Sequence, residues 1–249
     1  MAVMVSHWLP ESPLNHLPLG RMGVDIFFVI SGFLITGILL EGREKAAAHS
    51  GSRWQVWRNF FIRRVLRLFP LYYVTLLLLV LFNPKAIMPG LPWHLTYTSN
   101  YYIISADKWP GIVSHLWSLA VEEHFYLVWP FLILFLPQKR ILPAILTVLA
   151  GGVLFRLYLL MTGGTYISTY ISTPSCADAL AMGGLLAWMW RYRQDSLHKL
   201  LHTAWFPLIT LLLSGLSMAC KSYELPLWGI YIVLFRLCFS AFCFWIVGK

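Results

Sequence analysis

Long apolar runs separated by short polar ones fill the chain. They fall at about residues 1–9, 22–40, 69–83, 117–136, 141–161, 177–190, 203–220 and 227–248. All but the first approach the ~20 residues that carry a helix across a bilayer, allowing for tilt. The first has only nine residues before Pro10. The pattern predicts an all-α protein, a polytopic transmembrane helical bundle with about eight membrane segments. The short first run reads as a longer helix that has lost its N-terminal half. The last run stops at Lys249, so the C-terminus is open to the same reading. No internal repeat or low-complexity linker interrupts the series, and residues 1–249 are expected to form a single integral-membrane domain.

Composition removes the alternatives. Hydrophobic residues make up 59% of the 249 and charged residues 12%, about half the ~25% of soluble domains. Mean hydropathy is +0.68. A soluble fold of this length cannot hide so much apolar surface, so a water-soluble enzyme is excluded. With only 17 Gly and 14 Pro, disordered and collagen-like chains go too. Cys176, Cys220, Cys238 and Cys243 form no CxxC or zinc-like spacing and sit in or beside apolar runs. They read as packing residues, and no metal site is expected. The opening MAVMVSHWL lacks the basic region and cleavage site of a signal peptide.

The formal charge of +9 changes the picture only through its distribution. Basic residues flank the apolar runs, which points to membrane topology and not to a nucleic-acid partner. One side of the expected bundle carries thirteen Lys and Arg, seven of them in 41–68, and the other carries four: Arg21, Lys85, Lys108 and Lys221. The positive-inside rule puts the thirteen in the cytoplasm. Eight crossings then leave both termini inside, with the 84–116 loop facing the exterior.

Three constellations interrupt the apolar runs. In GVDIFFVISGFLIT, residues 23–36, Asp25 should face protein or water, because a charge deep in a bilayer costs roughly 2.5–3.5 kcal/mol. It either lines a polar interior or helps to cap its helix. Ser31-Gly32 reads first as a small pair for close helix packing, ahead of a nucleophile. The segment WQVWRNFFIRRVLRLFP, residues 54–70, is basic and amphipathic as a helix, with Arg64 and Arg67 three apart on one edge. It serves either as a headgroup anchor or as a cytoplasmic site for a phosphorylated ligand. Pro70 is expected to bend the chain into the next span. The third is SHLWSLAVEEHFYLVWP, residues 114–130. It sets His115, Trp117, Ser118, Glu122, Glu123 and His124 in an apolar helix, with His115 and Glu122 about two turns apart. Ionisable groups there are functional candidates by default. Arg156, Asp178 and Arg236 are further polar-interior candidates, and either arginine could pair with Asp178.

These runs, in this order, closely resemble the membrane-integral acyltransferase-3 family: GVDIFFVISGFLIT, then RRVLRLFPLYY, then HLWSLAVEEHFYLVWP. ADALAMGGLLAW resembles a further family segment, and the likeness covers about residues 1–190. Members include O-antigen, peptidoglycan and exopolysaccharide O-acetylases. The resemblance implies a bundle of about ten spans in complete members. It also implies transfer of an acyl group, commonly acetyl from acetyl-CoA, to a hydroxyl of a sugar or related acceptor. By the same resemblance His7 matches an essential first-helix histidine, whose usual basic partner eleven residues earlier would fall before Met1. Arg64 and Arg67 match family arginines, and Glu122 matches the acid of the WSLxxE pattern. The family often has an arginine shortly before the aspartate matching Asp178. Cys176 stands two before it here. His124 stands where glutamine is common and receives no role.

On this reading acyl-CoA is a donor substrate, no cofactor stays bound, and the partners are the bilayer, the acyl-CoA and a glycan or other hydroxyl acceptor. The bacterial cytoplasmic membrane is the expected location. His7 is the expected base or acyl carrier, Glu122 orients a histidine or lines the path, and Arg64 and Arg67 hold the donor phosphates. Asp25, Ser31, His115, Trp117, Ser118 and Asp178 line the pocket. Trp93, Tyr97, Asn100, Tyr101 and Tyr102 read as an interfacial aromatic belt or as acceptor contacts. Two other readings compete: a transporter or flippase of a lipid-linked saccharide, and an inactive fragment.

Overall fold

The computed structural model describes residues 19–49 and 51–202, with Leu208 and Leu212. His7, Arg236, three of the four cysteines, the runs at 1–9 and 227–248, and the run at 203–220 apart from Leu208 and Leu212 lie outside the described residues. Among the described residues every regular element is helical. They are α1 (Leu19–Ala48), α2 (Arg53–Phe82), α3 (Pro84–Ile87), α4 (Leu91–Leu95), α5 (Ser99–Ala106), α6 (Leu116–Phe135), α7 (Gln138–Met161), α8 (Tyr166–Ile171), α9 (Thr173–Tyr192) and α10 (Gln194–His202). Single 3-10 turns at Met88–Gly90 and Gly111–Val113 lie between them.

By length and composition, four stretches among the described residues can cross a membrane: Gly23–Ala48, Arg53–Phe82, Gly111–Phe135 and Gln138–Met161. The sequence suggests about eight. The expected span 177–190 does lie within a helix, α9, but Thr173, Ser175 and Asp178 dilute its apolar character, and it is not among the four. The helices turn large apolar side chains outward. Leu71 is 71% and Phe82 81% exposed, with Leu66, Leu77 and Leu81 on the same helix also open. Such a display suits lipid, not water.

Pro70 does not divide α2, which runs unbroken for 30 residues. Proline's fixed φ is compatible with a helix, and it costs only one ladder hydrogen bond and some steric strain. At 1.5 Å per residue the helix is ~45 Å long, more than a hydrocarbon core needs. Its basic first half and apolar second half are therefore one rod. Ser52 starts it, its side chain accepting from the Trp54 backbone N–H at 3.2 Å.

The described residues fall into two compact units. One comprises 19–37, 142–158 and 177–202. Its core includes Phe28, Val29, Ala179, Leu180, Ala181 and Leu186. Here α1 and α9 approach to backbone contact. A Cβ on Gly32 would strike the carbonyl oxygen of Leu180, and one on Gly183 would strike the carbonyl of Val29. The small pair at Ser31-Gly32 is thus a packing site, as its composition suggests.

The other unit comprises 38–141 and 159–176. The 84–116 stretch, read from sequence as a loop, is here a folded cap. Its Ile87, Tyr97 and Val113 form a buried cluster with Tyr72, Leu76 and Leu116. Tyr97 takes a left-handed φ of 56° and stacks on Tyr72 at 4.2 Å. Two α2 hydroxyls pin α4 down, with Tyr72 donating to the His94 carbonyl at 2.7 Å and Tyr73 to that of Leu95 at 3.0 Å. Arg43 closes the C-terminus of α6, donating to the carbonyls of Ile133 and Leu136 at 2.7 Å each. That supplies acceptors left open at the helix end and places a cation at its negative pole.

Candidate functional site

The second unit holds a charged cluster between two apolar helices. Arg64 projects from α2 and meets Glu123 on α6, with Nε and Nη2 each 2.9 Å from Oε1. Nη2 lies 3.9 Å from Oε2 of Glu122. One turn on, Tyr126 donates its hydroxyl to Oε1 of Glu122 at 2.8 Å. The guanidinium carbon sits 3.4 Å from the centre of the Tyr126 ring, a cation–π contact. Glu122 and Tyr126 meet because residues four apart share a helix face. Planar Arg64 satisfies the carboxylates and stacks on the ring at once, which lysine cannot do.

A second polar line leaves the same helix. Nδ1 of His124 lies 2.8 Å from the Thr173 hydroxyl. Asn100 donates its amide to that hydroxyl at 3.1 Å and to the Ile171 carbonyl at 3.3 Å. Through the Thr173 hydroxyl, the α6 imidazole is thus linked to Asn100 of α5.

The remaining candidates in this unit are placed differently. Arg67 is exposed on α2, and among the described residues it forms no ion pair. His115 immediately precedes α6 and is exposed, whereas Glu122 is 3% exposed. The Ser118 hydroxyl donates to the His115 carbonyl at 3.0 Å. Trp117 is buried against Tyr170, ring centres 5.2 Å apart. His94 and Tyr97, in the cap, are buried. Burial pushes the His94 imidazole below its usual range and the Tyr97 phenol above its own. His94 Nδ1 lies 2.7 Å from the Ser99 hydroxyl.

The first unit has its own buried ions. Arg156 of α7 pairs with Asp178 of α9 at 2.8 Å, both essentially without exposure. Oδ1 of Asp178 also accepts from the Ala179 backbone N–H at 2.8 Å. Asp25 is fully buried. Six helical residues, from Leu19 on, precede it in α1, so it does not cap that helix. Ser31 is half-buried. Neither the Arg64–Glu123 pair nor the Arg43 cap is legible from residue spacing, because both depend on tertiary contact. The Glu122–Tyr126 spacing was available and carries an i,i+4 signal.

Helices of membrane length, with arginine and carboxylate buried between them, define an integral-membrane protein with a polar interior. The chain belongs to the acyltransferase domain family, whose profile matches residues 1–249. The match runs past the 190 or so residues that carry the motifs. The chain is 35% identical to the peptidoglycan O-acetyltransferase OatA of Listeria monocytogenes, over 71% of this chain and 30% of that protein. It is 32% identical to the putative peptidoglycan O-acetyltransferase YrhL of Bacillus subtilis, over 73% of this chain and 31% of that one. A putative O-acetyltransferase of Staphylococcus aureus strain COL is 30% identical over 69% of this chain and 30% of its own length. The chain spans about a third of the length of the curated relatives it matches. No solved structure matches it.

Proposed function

We propose that residues 1–249 form one integral-membrane acyltransferase domain that moves an acyl group, acetyl in the first instance, from cytosolic acyl-CoA to a hydroxyl of a cell-envelope glycan. The observation that carries this reading is the match of the whole chain to the acyltransferase domain family. The names of the relatives support peptidoglycan or a similar glycan as the acceptor. The bacterial relatives support a cytoplasmic membrane as the location, and the Lys and Arg distribution, with the eight crossings expected from the sequence, supports both chain ends inside.

In this reading His7 takes the acceptor proton as general base, or carries the acyl group in transit. Arg67, exposed on the basic half of α2, meets the donor's phosphates. Arg64 is engaged by Glu123, Glu122 and Tyr126. It serves by fixing those carboxylates, a different task from the phosphate contact that its sequence position suggests. Glu122 holds the polar interior in register. Asp25, Ser31, His115, Trp117, Ser118 and Asp178 remain pocket candidates, and the acyl-CoA is consumed, not retained.

The test is direct. Membranes containing the full-length protein are incubated with labelled acetyl-CoA and peptidoglycan fragments. Label should appear on a glycan hydroxyl and disappear with His7→Ala at equal membrane abundance. Absence of label on any glycan would overturn the proposal.

A further inference from the structure

Two arginines of α2 are engaged by α6, Arg53 at the Leu134 carbonyl and Arg64 at Glu123. Arg63 and Arg67 are not. Both are exposed, and among the described residues neither forms an ion pair. With Asn59, also exposed, they stand four residues apart, so the three side chains line one edge of the helix. No Asp or Glu occurs in α2 to balance them. Like charges four apart on a helix repel, and an anion shared between them turns that repulsion into attraction.

The flank of this edge is apolar. Ile62, Val65 and Leu66 are exposed beside the arginines, Leu66 by 70%. They continue the outward surface of Leu71, Leu77, Leu81 and Phe82 on the same helix. A hydrocarbon core of ~30 Å takes about 20 helical residues, and about 20 counted back from Phe82 end at Arg63. Arg63 therefore falls at the boundary of the core and Arg67 about 6 Å inside it. Helical side chains lean toward the N-terminus of their helix. Both arginines thus lean out of the core, toward headgroups, with their stems laid along lipid chains.

We infer that Asn59, Arg63 and Arg67 form a binding site for an anionic phospholipid in the leaflet at the Arg53 end of α2. Arg63 and Arg67 take the phosphate with forked N–H donors. Asn59 meets the headgroup beyond it, and Ile62 and Leu66 receive the first carbons of the acyl chains. A soluble phosphate finds the same donors but leaves the aliphatic flank bare. This site requires only that α2 crosses a bilayer and does not depend on the acyltransferase reading. On that reading the donor's phosphates compete with the headgroup for Arg67.

Native mass spectrometry tests the site on the full-length protein, released in detergent and offered equal amounts of phosphatidylglycerol and phosphatidylcholine with the same chains. Wild type should retain phosphatidylglycerol about ten-fold over phosphatidylcholine, the order expected from two basic side chains at a headgroup. Arg63→Gln with Arg67→Gln should bring the ratio close to one. Arg58→Gln with Arg140→Gln removes the same charge from other exposed positions and should leave the preference standing. Equal retention of the two lipids by wild type overturns the inference. So does a preference lost as fully in the control pair, because net charge and not a site would then explain it. Glycerol 3-phosphate at the lipid's concentration should not displace the bound lipid. Displacement would make this a site for free phosphate and overturn the lipid assignment. If the double variant fails to insert, Arg63→Gln alone decides. Its ratio should fall about three-fold, and an unchanged ratio overturns the inference.

Discussion

Arg64 joins two helices through one planar group, and the consequences of changing it are separable. Arg64→Lys keeps the charge but loses the paired N–H contact with Glu123 and the stack on Tyr126. Arg64→Met also leaves a carboxylate with little exposure without its cation, a defect of ~3 kcal/mol. Thermal unfolding of the purified protein in detergent should rank wild type above lysine and lysine above methionine. Equal midpoints for all three would show that the cluster adds no stability. His94 offers a pH test. Burial holds its pKa below the ordinary 6.5. As pH falls the unfolded chain takes up the proton first, so stability present above ~6.5 is lost as pH drops toward the folded value. Backbone amides of 91–100 should exchange faster at pH 5.5 than at 7.5 once intrinsic rates are removed. His94→Gln should flatten that difference. An unchanged slope in the variant would assign the acid sensitivity to another group.

At the scale of elements, the α1–α9 crossing depends on missing side chains. Gly32 and Gly183 each face backbone atoms of the other helix, which cannot move aside as a flexible side chain would. Gly183→Ala should therefore lower the unfolding midpoint markedly, whereas Gly37→Ala on α1, with nothing nearby, should leave it level or raise it. A pair of neutral outcomes would mean that the helices do not meet so closely. These elements also show how far the sequence could be read. Ser31-Gly32 announced a close contact by size, yet Leu180 as its neighbour depended on the fold. Asp178 and Arg156 were recognisable as buried ions, and their pairing needed α7 and α9 brought together. The expected bend at Pro70 overstated one lost hydrogen bond against the many that continue the helix. The 84–116 stretch looked like a loop because short helices leave no sustained period. Its order comes from Tyr72, Tyr73 and the Tyr97 stack, contacts invisible to periodicity.

For the whole molecule, the remaining physical question is which way the helices face. The orientation proposed above from the count of Lys and Arg has 41–68 and the α6–α7 turn in the cytoplasm and the folded cap outside. Arg43 qualifies that count, because its charge already has structural work at the end of α6. The exposed arginines of α2 and the Lys139-Arg140 pair still weight the same side. An acyl donor made in the cytoplasm requires this orientation if Arg67 is to meet it. Single cysteines at Ser105 and Gln138, both exposed, test it in a background without the four native cysteines. A membrane-impermeant maleimide added to intact cells should label Ser105→Cys at once and Gln138→Cys only after permeabilisation. The reverse pattern would turn the basic half of α2 away from cytosolic acyl-CoA and remove the physical basis for Arg67 as its phosphate contact.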